Sequence, residues 1–250
     1  MISLGLQLWS LRKEFEKDAE AALRSVPSLG IDAVELAGDY GWSADKWKTL
    51  LAETGLKVVG AHGGPDLFAS EEKLQAALPF HQALGNTRLI LAHLPTETRN
   101  VEGYRKTAAD LNQAARFLQP HGIKVLYHNH EFEFDDLGGG KKGYDILLAE
   151  TDPALVSFEV DAYWVQYAGL DAYAFFSQHA SRVGAVHAKE MRGSDKAQVA
   201  AGEGVINFPG ILSLAKGAEW PVIVEYEADD APAAVKRSAA HLRGILDKMR

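Results

Sequence analysis

Eight short apolar runs, at residues 4–9, 33–37, 57–61, 88–94, 123–128, 155–161, 183–188 and 222–226, alternate with longer stretches of helical periodicity. The runs are rich in Val, Ile and Leu and lack strict polar alternation, as strands covered on both faces do. Strands that alternate with helices imply parallel pairing through right-handed crossovers. Eight such units in 250 residues match the size of a single α/β (β/α)8 TIM barrel. Without a linker or low-complexity segment, residues 1–250 read as one domain. A doubly wound open sheet is the competing fold, but no Gly-x-Gly-x-x-Gly turn follows the first run.

Helix punctuation agrees with that alternation. Ser43 and Ser70 read as N-caps of helices running to about Thr54 and Leu84, with Gly55 and Gly85 following them. Further helices fit 14–29, 101–119, 143–151, 170–180, 208–217 and 232 to the end. The connections 131–142 and 191–207 are longer than a barrel needs. Both follow strands, so both would lie on the catalytic face as lids.

Four of the runs end on a side chain that binds metals: Lys-Val-Leu-Tyr-His128, Val-Ser-Phe-Glu-Val-Asp161, Val-Gly-Ala-Val-His187 and Val-Ile-Val-Glu225. They are 33, 26 and 38 residues apart, about one strand-plus-helix unit each. A parallel barrel brings such ends to one rim, where a His/Asp/His/Glu cluster would hold a divalent cation over a substrate pocket. His62, His93 and His130 also fall at or just past strand ends, whereas His81, His121, His179 and His241 fall on helices or turns. Asp161 has a plainer reading as a helix cap or salt-bridge partner. His130 and Glu133 compete with His128 for the fourth ligand position, because geometry past a strand end is not readable from sequence.

The chain has no cysteine, so a metal must sit on nitrogen and oxygen donors. Such a mixed site suits one Mn, Co, Zn or Fe ion better than calcium. The ion would polarise a substrate carbonyl or hydroxyl, and a nearby carboxylate would take the proton beside the carbonyl. Glu225 or Glu133 is the expected proton shuttle, and Lys189, which shares a strand side with His187, would stabilise oxyanion charge. Trp9 and Trp164 offer ring faces to a sugar, Gln7, Glu35 and Asn129 could bond its hydroxyls, and His62 and His130 offer further polar contacts. Rim packing explains the two Trp residues equally well.

The net charge of −8 argues against nucleic acid as a partner. The N-terminus lacks a basic leader and no apolar run approaches the roughly 20 residues of a membrane span, which makes a cytoplasmic protein the expectation.

Taken in order, several segments resemble the sugar phosphate isomerase/epimerase superfamily, the xylose isomerase-like barrels. They are Gly5-Leu6-Gln7-Leu8-Trp9-Ser10, Gly30-Ile31-Asp32-Ala33-Val34-Glu35-Leu36, Tyr127-His128-Asn129-His130 with Glu133-Phe134, Asp161-Ala162-Tyr163-Trp164, His187-Ala188-Lys189-Glu190, Gly202-Glu203-Gly204 and Val224-Glu225. The resemblance implies a metal-dependent isomerase or epimerase of a sugar or keto-sugar in carbohydrate metabolism, with Asp161, His187 and Glu225 as ligands. It also implies a homodimer as the assembly to test. His128 stands where the epimerases carry a Glu, and the Tyr-His-Asn-His subgroup resembles enzymes acting on keto-sugars. Dehydration of an inosose-like substrate, or cleavage of a 3-keto-glycoside, is therefore the alternative. An endonuclease IV-like nuclease would need more ligands than His62 and His93 add, and a non-catalytic sugar-binding barrel would need no metal. Gly202-Glu203-Gly204 carries an acidic residue, which favours a non-phosphorylated substrate.

Overall fold

The computed structural model describes residues 3–215 and 220–249. The strands are β1 (Leu4–Gln7), β2 (Ala33–Leu36), β3 (Lys57–Gly63), β4 (Arg88–Leu91), β5 (Lys124–His128), β6 (Val156–Asp161), β7 (Val183–Ala188), β8 (Glu190–Met191), β9 (Gln198–Val199) and β10 (Val222–Val224). Strands β1 to β7 and β10 form a closed barrel, every pair of neighbours parallel, with β10 sealing it between β7 and β1. The expected (β/α)8 architecture is thus the fold. Strands β8 and β9 form a separate antiparallel ribbon, β8 at the entry to the long 191–207 connection and β9 within it, and no periodicity announces them.

Alternation along the strands sorts the side chains into two cores. One side of each strand packs against the helices in the large outer core, with Tyr104, Tyr127, Tyr144 and Phe158 among its buried rings. The other side points down the axis, where Ala33, Val59, Ile90, Leu126, Ala185 and Ile223 form a small apolar cluster of their own. Two residues further along the same strands come Glu35, His128, His187 and Glu225. With a side-chain period of two, they stand directly above that cluster on the same face. The barrel therefore has an apolar floor and a polar layer on top of it.

Local signals set most helix ends. Ser43 and Ser70 accept from the Lys46 and Lys73 amides, and Gly55 and Gly85 leave their helices with φ of 70° and 64°. The segment expected as one helix over 170–180 is Ala172–His179, preceded by a separate short helix Ala162–Tyr167 that starts at the end of β6. Trp9 does not end β1. It lies in a 3-10 turn, Leu8–Leu11, because the Gln7 side chain accepts from its amide and turns the chain. The helix expected over 208–217 runs Phe208–Leu214, and its expected residues 216–217 lie outside the described residues. Among the described residues no helix is long and apolar enough to cross a membrane.

His81 gives the fold a measurable pH response. It lies on the helix Glu71–Ala83, 8% exposed, with Nδ1 3.2 Å from the Asn86 amide nitrogen, which donates to it. Burial pushes its pKa from 6.5 down to about 4. As pH falls through that window the unfolded chain binds a proton that the folded chain refuses, so stability falls with pH. The expected loss is on the order of 2–3 kcal/mol. Urea unfolding at pH 7.5 and 4.5 should show a flatter pH slope for His81→Leu than for the parent, and equal slopes would refute the assignment.

Candidate functional site

The polar layer is built by register. β5 sets His128 opposite Glu159, and β6 sets Asp161 opposite His187 on β7. Glu225 follows β10 directly. Ligand atoms of His128, Asp161, His187 and Glu225 all lie within 4.8 Å of one another, so the four expected donors converge. A second set of the same compactness joins His62, His128, Glu159 and His187.

Asp161 divides its two oxygens. Oδ1 accepts from the Tyr163 and Trp164 amides, 2.8 and 3.2 Å away, and so caps the helix Ala162–Tyr167. Oδ2 is buried without a hydrogen-bond partner. The cap and the ligand readings of Asp161 thus use different atoms. An orphaned carboxylate oxygen beside two imidazoles and a second carboxylate fits a divalent cation, and the donor set fits Mn, Co, Zn or Fe.

Electrostatics follows from burial against pairing. Burial drives the Asp161 carboxyl up to about 7, with Lys189 working against the rise. Burial opposes the charge on Glu225 too, but the Lys189 and His187 beside it hold that carboxyl well below its usual range. Lys189 is buried, donating to Glu227 at 2.7 Å and reaching Glu225 at 3.5 Å, with its ammonium 4.8 Å from the Trp164 ring centre. The three carboxylates around it outweigh burial and keep it protonated.

A cavity of about 530 Å³ opens above this layer, lined by Trp9, His62, His93, His130, Glu225 and Glu227 among others. Trp9 is 48% exposed at its edge. His130 lies parallel to the Phe132 ring at 5.3 Å and edge-on to His93 at 5.2 Å, and burial pushes its pKa down to about 3, leaving it neutral. His93 Nε2 accepts from Arg99.

Other expected site residues lie elsewhere. Gln7 and Glu35 sit in the polar layer below the cavity, fully buried, and Gln7 Nε2 donates to Glu35 at 2.7 Å. Gln7 Oε1 accepts from the Trp9 amide and Glu35 Oε2 meets the His62 and His187 imidazoles, while Glu35 Oε1 is buried without a partner. Trp164 packs at a tilt behind His130, ring centres 5.5 Å apart, and under Lys189, as packing at the rim. Glu133 does not line the cavity. It is buried in the outer layer, accepting from the Tyr127 hydroxyl at 2.5 Å and the His130 amide at 2.8 Å. Tyr127 has the opposite parity to His128, so a side chain bonded to it is turned away from the barrel axis. Burial raises the Glu133 pKa to about 7.

Two site residues went unnoticed in the sequence. Glu159 Oε2 lies 2.9 Å from His62 Nε2, 3.1 Å from His128 Nδ1 and 3.1 Å from His187 Nε2. Glu227 holds Lys189 at the cavity wall. Parity was the available signal for Glu159, two residues before Asp161 on the same strand, whereas Glu227 lies past the end of β10, where parity is no guide.

A family model described as "Xylose isomerase-like TIM barrel" matches residues 23–245. The inosose dehydratase of Clostridium beijerinckii is 27% identical over 154 residues, 53% of this chain and 50% of its own. The chain spans about half the length of the curated relatives it matches. A crystal structure of a sugar phosphate isomerase/epimerase from Parabacteroides distasonis superposes with TM-score 0.83 at 28% identity, over 97% of this chain and 98% of that one. The IOLI protein with a bound zinc atom superposes with TM-score 0.71 at 15% identity over 100% of this chain and 99% of its own, a likeness of fold.

Proposed function

Because the chain belongs to the xylose isomerase-like TIM barrel family, we propose that it is a divalent-metal-dependent enzyme that removes the proton beside the carbonyl of an oxidised sugar or cyclitol and expels a β-hydroxyl as water. The observation that carries this reading is the convergence of His128, Asp161, His187 and Glu225, of which His128 and Glu225 line the cavity. When bound there, an ion supplies Lewis acidity toward the substrate oxygens.

The chain's own groups account for the proton. Glu225 is ionised, lines the cavity and takes the C–H proton. The electron pair left behind forms the new carbon–carbon double bond as the β C–O bond breaks. His62, on the cavity wall, is kept protonated at neutral pH: burial opposes the charge, but Glu35 and Glu159 outweigh it and raise its pKa to about 10. It is the acid positioned to protonate the departing hydroxyl, which leaves as water. Lys189 balances the charge gathered by Glu225 and Glu227.

The asymmetry of this arrangement favours elimination, which needs one base and one acid. Epimerisation through two opposed carboxylates would call on strand five, where His128 stands and Glu133 faces the other way. The name of the Clostridium relative points in the same direction. Isomerisation or epimerisation remains the second reading, favoured by the 28% identity to the Parabacteroides structure across nearly the whole chain.

Incubating the protein with inososes and 3-keto-sugars, Mn²⁺ or Co²⁺ and deuterium oxide distinguishes the two. Elimination gives a product lighter by one water, whereas epimerisation gives an isomer that carries solvent deuterium. Glu225→Gln should slow either by about 10²–10⁴-fold. Unchanged turnover in that variant would refute the role of Glu225.

A further inference from the structure

His128 and His187 belong to both compact donor sets, and each ring turns one nitrogen to each. His187 Nδ1 lies 3.2 Å from Glu225, while its Nε2 lies 2.8 Å from Glu35 and 3.1 Å from Glu159. His128 Nε2 lies 4.0 Å from Asp161, while its Nδ1 lies 3.1 Å from Glu159. A neutral imidazole has one lone-pair nitrogen and one N–H. Neither ring can therefore serve both sets at once, so the outer set (with Asp161 and Glu225) and the inner set (with His62 and Glu159) are mutually exclusive seats for one ion.

We infer that Glu159, assisted by Glu35, confines the ion to the outer seat by accepting the N–H groups of His128 Nδ1 and His187 Nε2, which leaves His128 Nε2 and His187 Nδ1 as the lone-pair donors. This inference rests on the outer set being the ion site proposed above. The arrangement is specific. One oxygen, Glu159 Oε2, has three imidazole nitrogens within 3.1 Å, a geometry that suits three N–H donors and would be repulsive toward three lone pairs. Glu35 is anchored by Gln7 on the neighbouring strand, and β3 makes room for it, since a Cβ on Gly60 would collide with Glu35 Oε1 and with Ile90. Both carboxylates are fully buried, so water does not compete for the imidazole protons. A carboxylate that accepts from a ligating imidazole fixes its tautomer and orientation and strengthens its other nitrogen as a ligand. Glu159 and Glu35 are on this account positioning residues. The opposing case is the inner seat, with Glu159 itself a ligand, for which the unpartnered Oε1 atoms of Glu35 and Glu159 speak.

Cobalt loading tests the choice without any substrate. In Glu159→Leu, Co²⁺ should bind at one ion per chain but about 10–100-fold more weakly in chelator competition. The shape of its visible absorption band should match the parent's, because the ligands are the same. Glu159→Gln, whose amide oxygen still accepts an N–H, should recover part of the affinity. A changed band in either variant would make Glu159 a ligand and overturn the inference, and so would undiminished affinity in Glu159→Leu. Gly60→Ala, which crowds Glu35 and touches no ligand, provides the measurement if Glu159→Leu fails to fold. It should weaken binding with the band unchanged, and full affinity there would count against Glu35. A parent protein that takes up no Co²⁺ would overturn the ion site itself, a failure distinct from parent binding with indifferent variants.

Discussion

Asp161→Asn should lose its ion and keep its fold. The amide oxygen of Asn still accepts from the Tyr163 and Trp164 amides, so the cap on the helix Ala162–Tyr167 survives. What replaces Oδ2 is an NH₂ group, a donor that no cation can use. Turnover should fall on the order of 10³-fold, about 4 kcal/mol of transition-state stabilisation. Affinity for Mn²⁺ or Co²⁺ should fall with it, while the thermal midpoint of the metal-free protein stays within a few degrees of the parent. Asp161→Ala removes both functions and should be less stable than Asp161→Asn by about 1 kcal/mol, the worth of a cap. Full ion binding by Asp161→Asn would reject Asp161 as a ligand.

Asp161 also illustrates what a sequence can disclose. Its position at the end of an apolar run identified a side chain at the barrel rim, because strand parity and strand length alone decide that. The division of its oxygens between a cap and a cation depends on where the next helix starts, and the helix Ala162–Tyr167 carries no strong periodicity. Glu159 was hidden for a related reason. Inside Val-Ser-Phe-Glu-Val-Asp161 it looks like a polar interruption of a buried strand, although the two-residue period that points Asp161 inward points Glu159 inward as well. Glu133 shows the opposite error. Once β5 ends at His128 the chain enters a 3-10 turn, Phe132–Phe134, and strand parity no longer governs side-chain direction. The eight barrel strands were legible because each needs only a local apolar run, whereas the β8–β9 ribbon is two residues deep and is held by its setting.

The second large effect concerns Lys189. Its ammonium is buried among Glu225, Glu227 and Asp161, so Lys189→Met leaves three carboxylates short of a cation. Breaking a buried ion pair from one side costs about 3–5 kcal/mol. In a chain of this size that lowers the thermal midpoint of the metal-free protein by roughly 10 °C. A divalent ion meets two of the same carboxylates, so it should rescue the variant more than it stabilises the parent, and it should bind the variant more tightly. Turnover should nevertheless drop about 100-fold, since the charge collected by Glu225 and Glu227 is no longer balanced. Calorimetry with and without Mn²⁺ reads the first effect and single-turnover kinetics the second. Equal ion-induced stabilisation of parent and variant would mean that Lys189 and the ion do not share carboxylates.

The apolar floor made by Ala33, Val59, Ile90, Leu126, Ala185 and Ile223 plugs the barrel axis below the polar layer. Nothing can drain along the axis, so substrate, product and any expelled water pass on the cavity side of the polar layer. The gatekeepers of that route are the connections after the strands, while the donors below are fixed by strand register. A change of clientele can therefore be written into the connections that line the cavity, 37–38, 63–65 and 92–95, without moving the strand-borne donors beneath.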